Sequence, residues 1–463
     1  MRLLTTGLLP LACAAALGLT TLSAHAAQPA PKVPGSDAIA SKTLANGLKI
    51  VVWPDHDIPN ASYYTFYKVG SRNEYPGITG LAHYFEHMMF NGTSRRAPGE
   101  FDRIMEAAGG SNNASTSNDL TIYTDWFPTS ALETIFDLEG DRMANLAFDP
   151  KVVESERGVV YSERRSSVDN DNFGTLMEQM QATAFTAHPY QFPTIGWPSD
   201  IEGWKIDDLK KFFKTYYAPN NAVLVITGDV EPAQVFALAD KYLAPLPRQP
   251  APAPVTTVEP EQQGERRIVV ERADAQSPII AYAFHSGMGA GSKDYPTLEL
   301  LATILSQGQS SRLNQRLVER EQAAVQAGAF AEAGFDPGLL WIYAMLPPGG
   351  ELAKAEALLD DELAKLARDG VTADELAKAR NLKASSFWRG MATINGKARA
   401  LGTYEVFQGD YRKLFDAPAA YDAVAAADVQ ALAKKILRIQ NRTTGLLKPV
   451  ATAPSADNKE GAQ

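Results

Sequence analysis

The chain has 463 residues, 45% hydrophobic and 21% charged, which supplies apolar mass for two or three cores and excludes a disordered, collagenous or polytopic membrane protein. Lys and Arg number 44 against 54 Asp and Glu, a formal net charge of −10, which argues against a nucleic-acid binder that must neutralise phosphates. The single cysteine, Cys13, permits no intramolecular disulfide and no Cys-based metal or redox site, so any metal must use His and carboxylates.

Residues 1–26 place Arg2 before an uncharged Leu/Ala-rich run ending in Ala24-His25-Ala26, the pattern of a secretory signal peptide with a small-x-small cleavage site. Gly7, Pro10, Gly18 and several threonines, with no basic cluster after the run, weaken the alternative of a permanent membrane anchor, and Pro-Leu-Ala before Cys13 is a poor match to a lipidation site. Export to a bacterial periplasm is the expectation. Residues 27–40 form a polar extension. Residues 44–52 read as two short strand pieces around an Asn46-Gly47 turn, and 62–69 as a further strand. Helical periodicity begins after Pro76 and recurs over 100–108, where Phe101, Ile104, Met105 and Ala108 share a face before Gly109-Gly110 stops the helix. A strand at 120–127, a helix at 151–165 and a buried strand at 221–228 come next. Mixed strands and helices with hairpin signals favour an α+β fold over a doubly wound parallel sheet.

Six prolines between Pro245 and Pro260 mark a semi-extended linker, taken as 248–263. The chain beyond this linker echoes the chain before it, displaced by about 220 residues. Ile50-Val51-Val52 is matched by Ile268-Val269-Val270, Pro59 by Pro278, and Tyr75-Pro76 by Tyr295-Pro296, each Tyr-Pro pair leading into a helix. The chain thus reads as two homologous α+β domains, 41–247 and 264–450, each a mixed, mainly antiparallel sheet packed with helices, ending in a polar, disordered tail at 451–463.

The strongest chemical signal is Gly80-Leu81-Ala82-His83-Tyr84-Phe85-Glu86-His87, an H-x-x-E-H on an expected helix. Residues i and i+4 lie one turn apart on one face, so both imidazoles can address one ion with Glu86 beside them. Two histidines do not hold zinc tightly, and a third, carboxylate ligand is required. The helix carrying Glu156, Val159, Val160 and Glu163 offers one: an apolar face interrupted by two acids is costly to bury unless a cation meets them. The alternative is a solvated acidic stripe alongside Arg157 and Arg164.

GLAHYFEHMMFNGT, then AAGGSNNASTSNDLTIYTDW and ESERGVVYSE, resembles the inverted-zinc-motif peptidases typified by pitrilysin, insulin-degrading enzyme and mitochondrial processing peptidase, along nearly the whole mature chain. The resemblance implies a zinc-dependent endopeptidase acting on peptides or unfolded segments, with one Zn2+ per chain. It implies His83, His87 and Glu163 as ligands, Glu86 as general base, and Glu156 as an acid supporting the site from outside the ligand set. Asn113 and Ala114 match the positions of a strand whose edge binds substrate, and pairing a peptide against an extended edge is physically sensible. Aligning the halves by their Tyr-Pro pairs puts Thr303, Ser306, Gln307, Leu376 and Lys383 opposite His83, Glu86, His87, Glu156 and Glu163, so the second half lacks a zinc site.

The family completes its site with an Arg and a Tyr, and the positions aligned with them here are Val318 and Val325, neither of which can donate a hydrogen bond from its side chain. The expectation is therefore the metal-bearing subunit of a heterodimer whose homologous partner supplies the pair, with Arg312 or Arg316 as alternative sources of the cation. Two other classes stand beside it: a catalytically weak or silent peptide-binding partner subunit, and a zinc hydrolase of another kind.

Overall fold

The structure, a computed structural model, describes residues 32–450; the signal peptide expected at 1–26, with Cys13, and the tail expected at 451–463 lie outside the described residues. Among the described residues, eleven strands form two sheets. The first is built from β1 (Ala40–Thr43), β2 (Lys49–Pro54), β3 (Asn60–Tyr67), β4 (Ser111–Thr116), β5 (Thr121–Pro128) and β6 (Ala222–Gly228) in the order β1-β2-β6-β3-β5-β4. The second uses β7 (Arg266–Arg272), β8 (Ile279–His285), β9 (Gln326–Ala331), β10 (Leu339–Met345) and β11 (Arg442–Pro449) in the order β7-β11-β8-β10-β9. Without β1 the two orders coincide, strand for strand. In each sheet one pair is parallel, β2 with β6 and β7 with β11, and the rest are antiparallel.

Sequence explains much of this locally. The apolar run of β6 is buried at every position, as a central strand covered on both faces requires. β4, with its polar SNNAST sequence, alternates between exposed and half-buried residues and pairs only with β5, so it is an edge. The strand expected at 120–127 is β5, which lies inside the sheet between β3 and β4; the free edge beside it belongs to β4. The strand pieces expected at 44–52 are shifted, because Leu44 to Leu48 form the turn itself, with Gly47 at φ 95°. The helix expected after Pro76 starts later, at Leu81–Met88, since Gly77 and Gly80 adopt left-handed φ values of 100° and 87°.

Each half lends a helix to the other. Asn172–Ala184 packs Leu176, Met180 and Ala184 onto the second sheet, against Val270, Ile279, Ala281 and Leu447. Ile394–Gln408 packs Ala398, Leu401 and Val406 onto the first sheet, against Val51, Tyr64, Phe66 and Val225. Both contacts depend on glycine. A Cβ at Gly402 would stand 2.0 Å from the Phe66 ring, and one at Gly445 2.3 Å from the Met180 sulfur. The proline-rich segment between the halves is fastened down by Glu259, whose carboxylate accepts the backbone N–H groups of Thr186, Ala187 and His188. No helix among the described residues is long and apolar enough to cross a membrane.

Candidate metal centre

Leu81–Met88 and Pro150–Arg164 meet side by side, locked by Tyr84, whose buried hydroxyl donates to the Val153 carbonyl at 2.8 Å. Further buried hydroxyls hold the first helix: Tyr123 donates to the Phe85 carbonyl and Tyr217 to the Ala82 carbonyl. At its N-terminus Glu74 accepts the Gly80 and Ala82 N–H groups, each at 2.7 Å, the role of a cap supplied from outside the helix. Burial pushes the Glu74 carboxyl up to about 8 in spite of those two donors.

On this frame His83, His87 and Glu163 converge, with one ligand atom of each within 4.8 Å of the others. Glu163 Oε2 is 3.3 Å from His87 Nε2 and 3.6 Å from His83 Nε2. Ligand atoms about 2.0–2.1 Å from a tetrahedral zinc stand roughly 3.3–3.4 Å apart, so the donor set has the spacing and the N/O chemistry of a zinc site. Glu156 lies behind it, its Oε1 at 2.7 Å from His87 Nδ1. With the Nδ1 proton held by that carboxylate, the Nε2 lone pair is turned to the ligand side. The Pro150–Arg164 helix is rotated from the expected face: Val160 is buried, while Val159 is 48% exposed and takes no part.

The electrostatics suit a cation. Burial, with His87 nearby, lowers the His83 pKa to about 3, so this imidazole is neutral, as a ligand must be. Burial opposes the charged form of His87 as well, but the Glu156 hydrogen bond and the charges of Glu156, Glu163 and Glu86 outweigh it and raise its pKa. Glu156 is lowered by its hydrogen bond to His87. Burial raises Glu86, opposed by a hydrogen bond from Thr116.

Three contributors carried no sequence signal. Thr116, at the end of β4, donates to Glu86 Oε2 at 2.5 Å. Asn91 bridges the two helices, donating to Glu156 Oε2 at 2.9 Å and to the His87 carbonyl at 3.2 Å. Glu74 caps the motif helix from the preceding loop. Asn113 and Ala114 lie on the β4 edge, paired with Thr124 and Tyr123 of β5.

In the second half, Thr303 turns its hydroxyl to the Glu299 carbonyl of its own helix, Ser306 Oγ sits between the Ala302 carbonyl of that helix and the Ala329 carbonyl of β9, and Lys383 pairs with Glu299 at 2.6 Å. Val318 packs against the second core and Val325 is 62% exposed. Arg312 is engaged by Glu375 and the Gly370 carbonyl, and Arg316 by Glu321 and Asp361, so neither guanidinium is idle.

Residues 51–196 match the family described as Insulinase (Peptidase family M16), and residues 203–383 match the Peptidase M16 inactive domain. The chain is 32% identical over 416 residues to the zinc protease PqqE of Helicobacter pylori, covering 88% of this chain and 92% of that one. It is 26% identical over 410 residues to the mitochondrial-processing peptidase subunit beta of Lentinula edodes, with 85% and 86% covered. The crystal structure of a protease from Helicobacter pylori superimposes with a TM-score of 0.85 at 31% identity, over 89% of this chain and 99% of that one.

Proposed function

Because the chain belongs to the M16, insulinase-like peptidase family, we propose that it is a zinc-dependent metalloendopeptidase that hydrolyses peptide bonds of oligopeptides or unfolded segments. The observation that carries this is the convergence of two imidazoles and one carboxylate from two helices, with a further half-buried carboxylate, Glu86, on the same turn. In this proposal His83, His87 and Glu163 hold one zinc per chain, and Glu156 steadies His87 from behind. What zinc supplies when bound is a Lewis acid that acidifies a water and polarises the scissile carbonyl.

The remaining work falls to the protein. Glu86, with Oε2 held by Thr116, takes the proton of the attacking water on its other oxygen and returns it to the leaving amine. β4 pairs only with β5, so its outer edge is open to an extended peptide, which would take the Ala114 N–H in place of the Asn113 Oδ1 that now accepts it at 2.9 Å and so fix the scissile bond relative to Glu86. That edge also favours peptides over small esters as substrates.

The site lacks an Arg/Tyr donor pair at Val318 and Val325, and the proposal includes a homologous partner subunit that supplies it. One relative is by name a beta subunit, which supports assembly with a partner. The second reading, a silent partner subunit, draws on the match to an inactive domain, but the complete donor set of the first half favours catalysis. The leader at 1–26 supports export and a periplasmic location.

Glu86→Gln is the decisive variant. It should keep stoichiometric zinc and lose cleavage of a quenched-peptide mixture, and an active Glu86→Gln protein refutes the assignment of the base. Expressing the chain alone and beside the product of a neighbouring gene, then comparing cleavage, tests the partner; full activity alone removes the need for one.

A further inference from the structure

Glu86 is fixed by more than its own helix. Its Oε2 accepts a 2.5 Å hydrogen bond from the Thr116 hydroxyl, and Thr116 is the last residue of β4, the edge strand that also carries Asn113 and Ala114. A tie of different make joins helix and edge strand in the second half. Ser306, opposite Glu86, places its single hydroxyl proton between the Ala329 carbonyl of β9 at 2.8 Å and the Ala302 carbonyl of its own helix at 3.0 Å, and β9 is the edge strand of the second sheet. A polar tie between this helix position and the edge strand is therefore part of the duplicated frame. Only in the first half does it end on a carboxylate.

A glutamate has three rotatable side-chain bonds, and a half-buried one that is free to swing spends little time in a productive geometry. A donor rigidly mounted on a strand removes that freedom and leaves the second carboxylate oxygen for the water. We propose that Thr116 is a positioning residue for Glu86, tying the aim of the base to the strand along which the peptide lies. This inference rests on the assignment of Glu86 as base and of the β4 edge as the docking strand. It adds that both are referenced to one piece of backbone, so that the peptide bond and the base cannot drift apart.

The test uses the full-length, zinc-loaded protein, with its partner if one is needed for turnover, and the variants Thr116→Val and Thr116→Ser. Valine keeps the shape and strand preference of threonine without the hydroxyl; serine keeps the hydroxyl. Thr116→Val is expected to lower kcat about ten- to a hundredfold, with KM changed less than about twofold and zinc stoichiometry unchanged. Thr116→Ser is expected to recover most of kcat. A readout without turnover is the infrared carboxylate band of the metal-free protein: a band that shifts in Thr116→Val and is missing in Glu86→Gln reports the hydrogen bond directly. An unchanged kcat or an unchanged spectrum in Thr116→Val overturns the proposal. So does a rise in KM at constant kcat, which makes Thr116 a substrate contact, or a loss of zinc, which makes it a structural prop. A wild-type protein that cleaves no peptide sinks the peptidase reading itself and this inference with it, whereas an active wild type matched by an equally active Thr116→Val sinks this inference alone.

Discussion

The two halves share a strand order and a helix at the same place in it, yet one gathers a donor set and the other does not. In the first half the helix is eight residues long and begins only after two left-handed glycines, and its imidazoles point at a carboxylate from the neighbouring helix. In the second half the helix is twelve residues long and starts directly at Tyr295, and its hydroxyls are taken up by backbone carbonyls of the helix itself and of β9. Thr303 bonds the Glu299 carbonyl at 2.8 Å, and Lys383 neutralises the Glu299 carboxylate. A fold can thus keep its frame while its chemistry is deleted, provided every polar group left behind finds a partner. In the first half three ligand atoms remain turned towards one another, an arrangement that costs stability unless a cation sits among them.

Writing the second half's residue into the first is the hardest test of that contrast. Glu163→Lys places an ammonium where the carboxylate stood, and it should abolish both metal binding and peptide cleavage. The side chain of Glu163 is 44% exposed, so circular dichroism should be unchanged. Elemental analysis giving one zinc per chain in this variant breaks the assignment of the site.

The seam between the halves supplies the next effect. Asp119, in the turn between β4 and β5, accepts from Tyr190 at 2.7 Å and from the Phe335 N–H of the second half at 3.1 Å, and lies 3.2 Å from Arg72. Burial raises its pKa to about 6, with Tyr190, Arg72 and the Phe335 N–H pulling against it. An unfolded aspartate titrates at about 3.9, so the folded state binds this proton more tightly and stability rises as pH falls from about 6 to about 4. Ionised Asp119 therefore costs about 3 kcal/mol above pH ~6. Denaturation midpoints of the wild type relative to Asp119→Asn should improve as pH drops from 7 to 5; a flat difference removes Asp119 as the titrating group. A smaller effect is expected at Asn91. Asn91→Ala frees Glu156, and through it His87, which should weaken zinc affinity roughly ten- to a hundredfold in a chelator competition. Unchanged affinity means that Glu156 is fixed without it.

The legible parts of this molecule were those written in local periodicity. The i, i+4 spacing of His83 and His87, the apolar run of β6 and the proline-rich crossing are each visible in a short window. Resemblance, rather than spacing, singled out Glu163 from Glu156 on a helix that offers both. The exchange of helices was not legible: Ile394–Gln408 buries Ala398, Leu401, Gly402, Glu405 and Val406, a mixed set with no clean apolar stripe, and it owes its seat to a close approach at Gly402. Thr116, Asn91 and Glu74 were equally silent, because each acts through one polar contact with another element and leaves no periodic trace.

The last comparison runs in the opposite direction, from the first half into the second. Lys383 bonds Glu299 at 2.6 Å and sits 5.4 Å from the Tyr421 ring centre, while the Tyr421 hydroxyl donates to the other Glu299 oxygen at 2.5 Å. Both members of the ion pair are about a quarter exposed, so solvent screens it and its removal in Lys383→Met should cost only about 1 kcal/mol, a shift of ~2 °C in Tm for a chain of this size. Lys383→Glu should cost more, since it sets a second carboxylate against Glu299. It should still bind no second zinc, because the opposing helix presents Thr303 and Gln307 where two imidazoles are needed. Titration of the Lys383→Glu protein with zinc is the check. A second tight equivalent would show that one acid, rather than the paired histidines, is what separates the halves.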